Sequence, residues 1–123
     1  MASVQPSVSF GRVRMIGPRS TVARSRTPLL AALDQAPWPD PGPEEVLFIR
    51  HLHLKGNARE IAARAADAAL VLARDAVDGW TPAADTAPAV RFSRHADMRA
   101  CLLADILAGR AAGRWFWHRE APL

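Results

Sequence analysis

Residues 46–57 read VLFIRHLHLKGN. Val46, Leu47, Phe48, Ile49, Leu52 and Leu54 put branched and aromatic side chains into about ten residues, the length and composition of a strand. In an extended chain Phe48, Arg50, Leu52 and Leu54 share one face, and Leu47, Ile49, His51, His53 and Lys55 the other. Gly56-Asn57 then turns the chain. Asn57 is placed to cap a helix, with Glu60 three residues on completing a variant of the capping box. The stretch therefore predicts a strand over 46–55 leading into a helix, the first half of an α/β or α+β unit.

Outward from that unit the pattern repeats. A helix from Ala58 to about Val77 carries Ile61, Ala65, Ala68, Leu72 and Ala76 on one stripe. Glu60 with Arg64, Arg64 with Asp67 and Arg74 with Asp78 are spaced to pair on a solvated face. Gly79 is placed as the helix stop. Trp80 to Pro88 reads as a loop punctuated by Pro82 and Pro88, and 89–92 as a short strand. Ser93 can cap a second helix over about 94–112, ended by Gly113. Met98, Leu102, Leu103, Ile106 and Leu107 spread large apolar groups over much of its circumference, with alanines and Cys101 filling most of the remainder. That spread predicts packing on more than one side, a partner included. Arg114-Trp115-Phe116-Trp117-His118-Arg119 reads as a final strand over 114–118 or an aromatic arm lying back on the sheet. The expected architecture is a small two-layer α/β or α+β domain of βαβαβ-like order. It holds two helices and two to three strands over 44–119, with 120–123 as a tail.

Residues 1–43 have a different composition. No acid precedes Asp34, and arginine, serine and threonine are frequent. An organellar transit peptide has this composition, as does a disordered leader in a high-GC bacterial gene or upstream sequence brought in by a misassigned start. The Arg- and Ala-rich, lysine-poor bias of the chain favours a bacterial source. Pro37, Pro39, Pro41 and Pro43 form a stiff, non-helical linker, since each fixes φ and disfavours helix at the residue before it. The expectation is a disordered Arg/Pro-rich leader and linker over 1–43, with folded structure from about Glu44.

The full 123 residues make one domain at most. Half of them are hydrophobic, but 25 are alanine, so the core leans on large groups clustered at 46–54, 61–77 and 90–117. A small domain of this kind gains from oligomerisation or docking. Five arginines against two aspartates give 1–43 a net charge of +3; eleven basic groups against ten acids leave 44–123 at only +1. A folded nucleic-acid module shows its basic face on the domain itself, and here only Arg91, Arg94, His95 and Arg99 bunch. One cysteine, Cys101, excludes an intrachain disulfide and any cysteine-based zinc motif. No apolar run approaches the roughly 18 to 20 residues of a membrane span. The chain reads as soluble and cytoplasmic, with no membrane partner.

His51 and His53, at i and i+2 on one strand face, have a spacing that occurs in metal sites, where a third ligand such as His118, His95 or Asp97 is needed. The competing reading makes them the polar row of a half-buried strand completed by Lys55, and no bound metal or cofactor is expected. Cys101 lies within an apolar helix, where burial raises a thiol pKa and makes it inert. Asp97 and Asp105, eight residues apart, do not form an acid/base pair, and no glycine-rich phosphate loop follows a strand. No catalytic constellation emerges, so the expectation is a protein that is not an enzyme. Trp115, Phe116 and Trp117, flanked by Arg114, His118 and Arg119, are the densest aromatic stretch. Such a run stacks on bases, anchors a protein interface, or packs alternate rings on a sheet.

The run RFSRHADMRACLLADILAGRAAGRWFWHR, over 91–119, resembles a segment of uncharacterised bacterial proteins associated with contractile, phage-tail-like injection clusters. VLFIRHLHLKGN and its Ala/Arg helix are similar in style, so the resemblance covers 46–119 and leaves the leader outside. It implies no catalytic residues. The first functional expectation is a non-enzymatic interaction or accessory module in a larger bacterial assembly. It would contact a protein partner or a second copy through Trp115, Phe116, Trp117, Arg114, Arg99 and the many-sided second helix. The second is a nucleic-acid-associated protein using the Arg-rich leader with the Arg91 to Arg99 patch and Arg114.

Overall fold

Asn57 Oδ1 accepts the Glu60 N–H at 2.9 Å, and Asn57 Nδ2 donates to Glu60 Oε1 at 2.9 Å. This closed box starts the helix α2, Ala58–Arg74. The computed structural model describes residues 14–40, 42 and 44–117. Its other elements are α1 (Arg19–Gln35), β1 (Val46–Ile49), β2 (Val77–Asp78), β3 (Ala89–Phe92) and α3 (His95–Leu107), with single 3-10 turns at Pro82–Asp85, Ala111–Gly113 and Trp115–Trp117. Three helices and a three-stranded mixed sheet make the fold α+β. Strand β3 lies centrally, antiparallel to β1 with Phe48 opposite Val90, and parallel to β2 with Val77 opposite Val90.

The strand predicted over 46–55 stops at Ile49. Ile49 pairs with Ala89, and the next partner along β3 is Pro88, whose carbonyl accepts the Arg50 N–H at 2.9 Å. Proline has no N–H to return, so the ladder ends there. Helix α2 stops at Arg74 instead of Val77 because Val77 and Asp78 are drawn into pairing with β3. Gly79 is therefore not a helix stop. It is buried, its N–H donates to Arg91 O at 3.0 Å, and a methyl added at its Cα would collide with the Phe92 ring. Close approach of backbone to a ring is what demands glycine here.

Helix α3 begins after Arg94, whose side chain makes no capping bond, so Ser93 is not the cap. It ends at Leu107, and the glycine that closes it is Gly109, four residues before the one predicted to stop it. Gly109 has φ +74 and donates its N–H to Ile106 O at 3.1 Å, while the Arg110 N–H reaches Asp105 O at 2.8 Å. This pair of bonds is the Schellman closure that a left-handed glycine permits.

The largest departure from expectation lies in the leader. Residues 19–35, predicted to be disordered, form α1 even though Pro28 sits inside it. Leu29 and Leu33, one turn apart, are buried with Ala62 and Ala65 of α2, and Met15, Trp38, Leu52, Leu54 and Ile61 pack around them. The Trp38 indole N–H caps the helix end by donating to Leu33 O at 2.7 Å. Burial of one apolar stripe outweighs the lost donor at Pro28, because most helical stability in a protein comes from packing. The expectation for 1–13 lies outside the described residues, as do Pro41 and Pro43.

Among the described residues the chain divides into two units: 14–39 with 52–70, and 40, 42 and 44–51 with 71–117. The first is built on the Leu29 and Leu33 cluster just described. The second, which holds the sheet and α3, packs Phe48, Val90, Phe92, Met98, Cys101, Phe116 and Trp117 into one core. Phe48 and Leu52, assigned by alternation to one strand face, thus serve separate cores.

Candidate functional site

Helix α3 presents two opposed faces. Turned inward are Met98, Cys101 and Asp105, at i, i+3 and i+7, with Leu102 half-buried beside them. Asp105 is 2% exposed, and a carboxylate at that depth needs partners. Its Oδ2 accepts from Trp117 Nε1 at 2.7 Å and from Arg114 Nη1 at 2.9 Å. Its Oδ1 faces Arg110 Nη2 at 3.5 Å. Arg114 extends the network: Nε donates to Asp85 Oδ1 at 2.8 Å, Nη1 to Gly79 O at 3.2 Å, and Nη2 to Thr81 O at 3.3 Å. One guanidinium thus ties the last helix to the loop after β2. Burial opposes the Arg114 charge, yet the bonds to Asp85 and Asp105 outweigh it and raise its pKa from an already high value.

Cys101 lies 3.7 Å from Gly79 O and 3.9 Å from Asp105 Oδ2. Burial pushes its thiol up from 9.0, and the nearby Asp105 charge pushes the same way. A thiol so held stays protonated near neutral pH. Beside it is a pocket of about 150 Å³ lined by Trp80, Pro82, Asp85, Asp105, Arg110 and Arg114, among others. Its acidic and basic groups are engaged with one another in the network above.

The aromatic run does not form an exposed surface. Phe116 and Trp117 are buried: Trp117 stacks on Phe92 at 5.5 Å between centroids and meets Phe116 edge-on at 4.7 Å. Trp115 is half-buried, with its indole N–H on Ala84 O at 3.1 Å and Arg50 over its ring. Of the residues assigned to interaction, Trp115, Phe116, Trp117 and Arg114 therefore build the core and its lock, and Arg99 alone is exposed. The sequence-predicted nucleic-acid patch is divided as well. Arg91 is half-buried and donates to Ala73 O at 2.6 Å, and Arg94 pairs with Asp97 at 3.4 Å.

His51 and His53 are exposed and lie beyond the end of β1, so no strand holds them on one face. His95 is exposed at the start of α3, and His118 lies outside the described residues. Among the described residues no three His, Cys, Asp or Glu side chains are grouped to hold a metal. Likewise, no helix among them is long and apolar enough to cross a membrane.

The outward face of α3 is of another kind. Leu103, Ile106 and Leu107 are 58%, 40% and 80% exposed, and Ala96, Arg99 and Ala100 complete the solvent side. The sequence pointed to this surface through the apolar spread of the helix. It did not point to Asp105, although an acid placed four residues after Cys101 and seven after Met98, on a buried stripe, is a signal for an internal partner. No protein-family model matches the chain, and neither does any curated protein or solved structure.

Proposed function

We propose that the protein is an interaction module that engages another protein through the outward face of α3. The observation that carries this reading is the exposure of Leu103, Ile106 and Leu107 on a helix whose opposite face is fully occupied by core packing and the Asp105 network. Three large apolar groups within about one turn on the solvent side of a helix mark a contact site more than a solvated one. Membership of a larger assembly, as the resemblance to injection-cluster proteins implies, is consistent with such a surface and belongs to the same proposal. Nucleic-acid association has less behind it, since Arg91 and Arg114 are engaged with protein groups.

A photo-crosslinking residue placed at Leu107 in cells producing the full chain tests the reading. Discrete protein adducts are expected from position 107, absent when the same residue replaces exposed Ala63 on α2 and lost when Leu103 is changed to Gln. Equal labelling at both positions would overturn it.

A further inference from the structure

The Arg50 N–H donates to Pro88 O at 2.9 Å, so the bonded pairs of the β1–β3 ladder fall on even-numbered residues of β1, Phe48 with Val90 and Val46 with Phe92. Leu47 and Ile49 therefore turn their N–H and C=O groups away from β3. The other side of β3 agrees: Arg91, opposite Leu47, accepts the Gly79 N–H on the β2 side. Because β1 stands at the end of the β1-β3-β2 order, nothing among the described residues pairs with Leu47 or Ile49 from outside. Sheets commonly blunt such an edge with lysine, proline or a bulge, and Val46–Ile49 has none of these.

The two ends of this edge differ in charge. Glu44 is exposed and Glu45 half-buried just before the strand, and Arg50 is exposed just after it. None of the three has an ion pair among the described residues. Arg50 lies over the Trp115 ring at 5.9 Å, a contact that draws on its charge but occupies no side-chain N–H donor. Two copies of such a strand bring unlike charges together when antiparallel and like charges together when parallel. From the open backbone groups and this charge order we infer that the occupant of the edge is β1 of a second copy of this chain, paired antiparallel about a two-fold axis at Leu47.

In that register Leu47 faces its own counterpart, Ile49 faces Glu45 of the second copy, and Arg50 faces Glu44 of the second copy; the two-fold repeats each pair. The outward groups of Leu47 and Ile49 find backbone partners, and Arg50 meets Glu44 at a non-hydrogen-bonded position, where facing side chains come closest. One sheet then runs β2-β3-β1-β1-β3-β2 through both copies. A peptide from another protein would have to reproduce the reversed charge order that a second copy supplies by symmetry. The pairing makes no use of the α3 face, so the two surfaces stand or fall separately.

Sedimentation equilibrium of the full chain over a concentration series provides the test. Wild type is expected to form a reversible dimer that weakens as salt rises. Arg50→Glu sets acid against acid at both symmetric positions and Glu44→Arg sets base against base, so each should weaken the dimer about tenfold. An equal mixture of these two variants should regain wild-type affinity, because the heterodimer again has Glu facing Arg at both positions. Leu47→Pro removes an N–H that β3 does not use, so that chain should keep its circular dichroism and sediment as a monomer. Wild type that stays monomeric up to its solubility limit, or a mixture that associates no better than either variant alone, would overturn the pairing. A dimer untouched by the β1 variants and lost in Leu103→Gln/Leu107→Gln would place self-association on α3 and overturn it as well.

Discussion

The inward and outward faces of α3 are made of residues a turn or less apart, yet they differ in every physical respect. Inside, Asp105 and Cys101 are enclosed by Arg114, Trp117 and the Gly79 carbonyl. Outside, Leu103 and Leu107 are more than half exposed. The comparison shows that hydrophobicity alone does not tell core from contact surface. On this helix Asp105 is buried while Leu103 and Leu107 face solvent, because the aspartate is supplied with donors and these two leucines are not needed to close the core. A helix arranged in this way commits one side to the fold and keeps the other available.

Breaking the inward face should have the largest effect. Asp105→Leu leaves the Arg114 charge without its buried partner, so the unfolding free energy should fall by about 3 to 5 kcal/mol. Denaturant titration measures this, and adding Arg114→Met should restore much of the loss, since replacing both ions by apolar groups removes the uncompensated charge. Gly79→Ala should follow, with a loss of about 1 to 3 kcal/mol from forcing a methyl against Phe92. A partial rescue by Phe92→Leu would locate the clash in that contact.

A smaller effect depends on pH. The Cys101 thiol is raised above 9.0 in the folded chain. Above that pH the unfolded chain gives up the thiol proton while the folded chain keeps it, so its contribution to stability is complete below pH 9 and declines as pH rises towards the folded value. The decline reaches at most about 1.4 kcal/mol per pH unit. Cys101→Ser should flatten the wild-type slope between neutral and alkaline pH in thermal melts. Identical slopes would mean that the thiol is not held protonated by burial.

Much of the sheet was legible. Branched and aromatic residues at 46–49 and 89–92 announce their strands, and Asn57 with Glu60 announces α2. What escaped depended on contacts distant in sequence. The length of β1 is set by Pro88 across the ladder, and Gly79 is fixed by Phe92. Helix α1 was hidden by Pro28 and an Arg, Ser and Thr composition that outweigh Leu29 and Leu33 when no partner is in view. The aromatic run misled for the same reason: nothing local says that Trp117 meets Asp105, twelve residues earlier. By contrast, the outward leucines were visible as an excess of apolar groups around one helix, a signal that needs no knowledge of neighbours.

The central claim is that, among the described residues, the outward face of α3 does no structural service. It is tested most directly by measuring the unfolding free energy of the Leu103→Gln/Leu107→Gln variant. Stability within about 0.5 kcal/mol of wild type, as for surface substitutions, is the predicted result. A stability loss above about 2 kcal/mol, in the range of buried leucines, would mean that the face is packed within the fold and would contradict the account.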